Sequence, residues 1–153
     1  MSRGTSRPTA LLDVDVLIAL AWPNHEGHRV ARDWFAANAV AGWATTPVTE
    51  SGFVRVSSNR HALPTATTPG VALDMLGRLT ALDGHIFWPD GVRLVLGGHL
   101  DTSVVSGHRQ VTDAHLLALC LENAGTLVTF DRGVPALVPT GRTMVEILEN
   151  GPA

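Results

Sequence analysis

The chain predicts an α/β fold: a three-layer sandwich with a mostly parallel central sheet and helices on both faces. Three observations point to it. Short apolar runs such as "TALLDV", "GWATT" and "TLVTFD" have the length and composition of buried strands. Longer stretches with helical periodicity separate them, as the crossovers of a parallel sheet require. The 153 residues suffice for a real core within one domain, residues 1–153, with 1–8 polar and expected to fray.

Taken in order, "TALLDV" (9–14) reads as a buried strand, and "DVLIALAW" as a short helix that Pro23 stops. "HEGHRVARDWFAAN" (25–38) places Val30, Trp34 and Ala37 at helical spacing. "GWATT" (42–46) is a strand, after which Thr46 as N-cap and Pro47 in the first turn open a helix through "VTESGFVRVSSN". "LPTATTP" (63–69) is a loop, "GVALDMLGRLTAL" (70–82) a helix and "HIFWP" a strand. Segment 90–111 carries the weakest pattern and reads as a short helix followed by an exposed loop. "TDAHLLALCLENAG" (112–125) is a helix with Thr112 as N-cap and Gly125 beyond its end. "TLVTFD" (126–131) and "TMVEIL" (143–148) supply the last strands.

Composition removes several chemistries. All eleven basic residues are Arg, which excludes Schiff-base lysines and the lysine of a phosphate-binding P-loop. Cys120 is the sole cysteine, so no internal disulfide or cysteine-rich zinc site forms, and its helical context reads as core. A net charge of −3 gives no global attraction to nucleic acid. Arg3 and Arg7 precede an apolar run as in a secretory signal, but two aspartates inside that run argue against one. No run has the roughly twenty apolar residues of a membrane span, so a cytoplasmic protein is expected.

Sites in such sheets lie beyond the carboxyl ends of the strands. Asp13 and Asp131 fall at two such ends, while Glu50 and Asp113 fall in first turns of helices, where negative charge is favoured. Two carboxylates about 5 Å apart repel by roughly 3 kcal/mol at an effective dielectric of about 20. Four gathered together weigh heavily against a net stability of about 5–15 kcal/mol, and helix dipoles return only about 1 kcal/mol each. A divalent cation relieves the conflict, and an all-oxygen shell selects Mg²⁺ or Mn²⁺ over zinc. The alternative is that each acid caps a helix and faces water separately.

"LLDVDVLIAL", "TTPVTESGF", "QVTDAHLLALC" and "LVTFD" together resemble the PIN-domain nucleases, in particular the VapC-type toxins of bacterial toxin–antitoxin pairs. The resemblance runs from about residue 10 to 148, in the family's order and approximate spacing. It implies that Asp13, Glu50, Asp113 and Asp131 are the acidic quartet, with Asp13 and Asp113 holding the metal most directly. Thr129 matches a Ser/Thr that helps order the site. One departure is Asp15, which stands where the family most often has Asn: turned toward the metal it makes a fifth acid, turned away it caps the following helix, and capping is its expected role. The implied activity is metal-dependent hydrolysis of RNA phosphodiesters. The implied partners are a cognate antitoxin, whose tail enters the acidic groove, and a second copy in a homodimer.

An acidic pocket needs nearby arginines to hold RNA, and Arg109 and Arg132 are the candidates, with Arg55 a third. Each also reads as an ordinary solvated arginine. The loop 101–110 is placed to shape target choice. Two rivals stand beside the nuclease. "DVDV" after a strand also opens haloacid-dehalogenase-type phosphatases, but their usual lysine is missing here. A catalytically silent module binding RNA or protein would keep the fold without needing an intact quartet. "HEGH" (25–28) spaces its histidines at i and i+3 rather than the i and i+4 of a zincin. His99, His108 and His115 are scattered, and Trp22, Trp34, Trp43 and Trp88 read as core rather than base-stacking platforms.

Overall fold

A computed structural model describes residues 7–94, 102–138 and 143–151. The expected fraying of residues 1–6, His99, and the middle of the weak segment 90–111 lie outside the described residues.

Five strands pair side by side, all parallel: β1 (Ala10–Leu12), β2 (Trp43–Thr45), β3 (His85–Phe87), β4 (Thr126–Thr129) and β5 (Val145–Ile147). Their order is β3-β2-β1-β4-β5. The chain therefore leaves β1 to one side for β2 and β3, and returns to its other side for β4 and β5. That reversal opens a crevice past the carboxyl ends of β1 and β4.

Strand pleating sends alternate side chains into two cores. Ala10, Leu12, Trp43 and Val128 pack against α1 (Val14–Ala21), α2 (His28–Asn38), α3 (Pro47–Ser57) and α4 (Pro69–Thr80). Leu11, Ala44 and Leu127 face the other way, onto α5 (Gln110–Glu122) and the loops around Trp88 and Val134. Helices thus cover both faces, as a parallel sheet demands. Within the first layer α1 and α3 approach closely because Gly52 has no side chain: a Cβ there would lie 2.6 Å from Val14 Cγ2.

Several local expectations are corrected. β1 and β4 end at Leu12 and Thr129, so the residues that follow them, Asp13 and Phe130–Asp131, belong to turns. α2 begins only at His28, because His25 Nδ1 accepts from Gly27 N and turns the chain first; it buries Ala31 and Trp34 while Ala37 is exposed. α5 starts at Gln110 with Arg109 at its N-cap, not at Thr112. The cause is the Gln110 side chain, whose Oε1 accepts from the amides of Ser106 and Gly107 and winds the preceding turn into the helix. α4 gains one residue at its start, where Thr68 Oγ1 accepts from Val71 N ahead of Pro69.

Candidate active site

The crevice beside β1 and β4 gathers carboxylates from three elements. Asp13 leaves β1 and caps α1, its Oδ1 accepting from Val14 N at 2.8 Å. Its Oδ2 accepts from Thr129 Oγ1, the last residue of β4, at 2.8 Å. Thr129 is fully buried and also receives the Asp131 N–H at 3.1 Å, so one hydroxyl ties the turn after β4 to the end of β1. Asp131 stays exposed and closes its own turn, Oδ1 accepting from Gly133 N at 2.8 Å. Asp113 sits in the first turn of α5, half-buried.

Asp15 does not cap α1, because Asp13 holds that position. It lies within the first turn, two residues on, and reaches across to the end of β4, its Oδ2 accepting from Phe130 N and from Thr129 Oγ1, both at 3.2 Å. Its Oδ1 is buried without a hydrogen-bond partner. The single Thr129 proton thus serves two carboxylates, which leaves the pair short of one positive charge or one proton.

Burial, followed by the Asp13 charge, pushes Asp15 up to about 7. Burial, followed by the charges of Asp13 and Asp131, pushes Asp113 up to about 6. Asp13 is also raised, chiefly by burial with a contribution from Asp131, against the pull of its Thr129 and Val14 hydrogen bonds. Asp13, Asp15, Asp113 and Asp131 therefore form one interacting set.

Glu50 stands to one side of that set. It occupies the first turn of α3, beyond the carboxyl end of β2, and its Oε2 accepts from Thr45 Oγ1 at 2.7 Å. Thr45 Oγ1 is also 2.7 Å from His85 Nε2. Burial lowers the His85 pKa, with Glu50 opposing, which favours the neutral ring. An open, largely apolar groove of about 600 Å³ runs from Glu50 past Val54, Arg55, Leu73, Leu76 and Phe87. Neither Thr45 nor His85 is among the residues that the sequence singles out; the local signal for Thr45 is its position closing a strand, five residues before Glu50.

The remaining candidates separate cleanly. Arg109 is exposed at the start of α5, and Arg132 is exposed beside Glu149 at 3.5 Å. Cys120 is buried and its thiol pKa is driven upward by desolvation, as befits a core residue. His28 Nδ1 meets the Ala19 carbonyl and His115 Nε2 meets Asp90 Oδ1, so both histidines serve local structure. Trp34, Trp43 and Trp88 are buried, and Trp22 is partly buried with its Nε1–H donated to Ser57 Oγ. Among the described residues no helix is long and apolar enough to cross a membrane.

Among the described residues no three acids, histidines or cysteines converge tightly enough to form a ready-made metal cage. The carboxylates present nonetheless repel one another, the orphaned Asp15 Oδ1 lies among them, and His25, whose Nδ1 is taken by the Gly27 amide, lines the same pocket. That combination fits a hard divalent cation that retains several of its waters, and does not fit zinc in a closed shell.

The PIN domain family model matches residues 10–137. Ribonuclease VapC39 of Mycobacterium tuberculosis is 51% identical over 140 residues, covering 92% of this chain and 99% of the relative. Ribonuclease VapC38 of the same organism is 50% identical over 140 residues, covering 91% and 97% respectively. Ribonuclease VapC44, also from that organism, is 39% identical over 134 residues, covering 88% and 94%.

Proposed function

The chain belongs to the PIN domain family, and on that premise we propose that it is a metal-dependent endoribonuclease, the toxin of a toxin–antitoxin pair. The observation that carries this reading is the set of mutually destabilising carboxylates at the switch point of the sheet, held in place by Thr129. A protein of this size does not retain such a cluster for stability, because Asp13, Asp15 and Asp113 are each harder to ionise there than in water.

Asp13 and Asp113 would hold the cation most directly, with Asp131 joining through water. When bound, Mg²⁺ or Mn²⁺ supplies polarisation of the scissile phosphate and a lowered pKa for coordinated water. Thr129 keeps the Asp13 carboxylate in one rotamer by donating to Oδ2, so its other oxygen stays on the Val14 amide. Glu50, anchored by Thr45, would orient the attacking water and accept its proton as the water oxygen bonds to phosphorus, while the ribose oxygen that leaves takes a proton from solvent. Arg109 and Arg132, exposed on elements that carry Asp113 and Asp131, hold the flanking phosphates.

The antitoxin is the expected protein partner, and the apolar groove beside Glu50 supports a docked segment ending in a basic side chain at the acids. A homodimer in the cytoplasm completes the reading.

The test is direct. Purified protein is incubated with cellular RNA, with and without Mg²⁺ or Mn²⁺, and the new RNA ends are sequenced. Discrete cleavage that needs the cation and disappears in Asp13→Asn supports the proposal. Cleavage that survives in Asp13→Asn ends it.

A further inference from the structure

Glu50 is held by a device that the rest of the acidic site does not use. Thr45 closes β2, is fully buried, and its carbonyl receives the Trp88 N–H at 2.8 Å, so its backbone is fixed in the sheet. The hydroxyl lies 2.7 Å from Glu50 Oε2 and 2.7 Å from His85 Nε2. A threonine hydroxyl has one proton to give. With that proton directed at the Glu50 carboxylate, the bond to His85 forms only if the imidazole carries its proton on Nε2 and donates.

The imidazole is itself locked. His85 lies on the edge strand β3, in register with Trp43, and the two rings pack with centroids 4.7 Å apart at 57°. Trp43 is fully buried, donates its Nε1–H to the Asp83 carbonyl at 3.2 Å, and meets Phe35 edge-on at 5.2 Å. The start of α3 does not need this chain of bonds, because Thr49 Oγ1 already satisfies the Thr46 amide at 3.0 Å. The chain therefore ends on Glu50 for the sake of Glu50.

We propose that His85 and Thr45 are positioning residues for Glu50. His85 Nε2–H donates to Thr45 Oγ1, and Thr45 donates to Glu50 Oε2, fixing one carboxylate oxygen so that the other faces the reacting water. The arrangement parallels Thr129, which closes β4 and steers Asp13. Neither residue touches RNA or metal in this scheme, which rests on the nuclease reading above.

Four single variants, one double variant and one measurement on the wild type test it. Thr45→Val keeps the shape and removes the hydroxyl; it lowers kcat by about 10–100-fold with KM for RNA unchanged. Thr45→Ser restores the hydroxyl and most of kcat. His85→Phe keeps an aromatic partner for Trp43 but lowers kcat in the same sense, while His85→Gln, which retains a donor, recovers it in part. The double variant Thr45→Val/His85→Phe is no slower than Thr45→Val, because His85 acts only through that hydroxyl. Nitrogen-15 spectra of the wild-type imidazole report the Nε2–H tautomer at neutral pH, whatever the variants' stability. An Nδ1–H tautomer, full activity in Thr45→Val, or additive losses in the double variant overturns the relay. A wild type that cuts no RNA in any divalent cation instead overturns the nuclease reading itself.

Discussion

Thr129 Oγ1 donates to Asp13 Oδ2 at 2.8 Å, joining the carboxyl ends of two adjacent parallel strands from positions 116 residues apart in the chain. The bond does more than align a side chain. Because the same hydroxyl also faces Asp15, it leaves two carboxylates with one proton between them, and that imbalance underlies the behaviour expected below.

Replacing Asp13 with Asn removes a charge from the centre of the set while preserving an acceptor for the Val14 amide. RNA cleavage falls by more than the roughly 10–100-fold typical of losing a supporting partner at a metal site. The urea midpoint in chelator stays level or rises. A large loss of stability in this variant contradicts the repulsion that we infer.

The raised acids set the pH dependence of the metal-free protein. Asp15, at about 7, and Asp113, at about 6, bind protons more tightly folded than unfolded, where an aspartate titrates near 3.8. Their contribution to stability is complete below about pH 4 and is lost as pH rises through 6 to 7. Denaturation midpoints in EDTA therefore decline between pH 5 and pH 8. Millimolar Mg²⁺ or Mn²⁺ reduces the decline, because binding to the folded state offsets the repulsion. Parallel curves with and without cation argue against a metal at these acids.

Asp15→Asn restores the amide that the family most often has here and keeps an acceptor for Phe130 N. Its midpoint in chelator rises, its pH profile flattens between 4 and 7, and cleavage stays within about tenfold of wild type. Asp15→Leu strands the Phe130 amide instead, at a cost of about 1–3 kcal/mol. Thermal melts of the two variants side by side separate the charge from the hydrogen bond.

Gly52→Ala places a methyl 2.6 Å from Val14 Cγ2. Val14 is β-branched and stiff, so the helices must part, and destabilisation of about 1–3 kcal/mol follows. Val14 adjoins Asp13 and Gly52 lies two residues from Glu50, so the same displacement widens the site. Cleavage falls even at temperatures where circular dichroism reports a fully folded variant.

Much of this protein was legible in its residue order. Alternation of short apolar strands with helices sufficed for a parallel sheet clothed on both faces, because burying both faces leaves continuous apolar runs that periodicity detects. Asp13 follows a strand end, Asp131 lies in the turn after another, and Glu50 and Asp113 sit in helix first turns, all places that local pattern alone indicates. α5 starts two residues ahead of the Thr112 that local pattern indicates, because a side chain, Gln110, satisfies loop amides from within the helix.

What tertiary structure alone decided is which groups meet. Strand order put β1 between β2 and β4, and so brought Thr129 and Phe130 to Asp15, turning an expected cap into a cross-strand acceptor. The same order placed β3 beside β2, which carried His85 to Thr45 and, through it, to Glu50. The physical reason is range: local pattern reflects interactions over a few residues, whereas hydrogen bonds close at about 3 Å between residues whose separation along the chain leaves no trace in composition or periodicity.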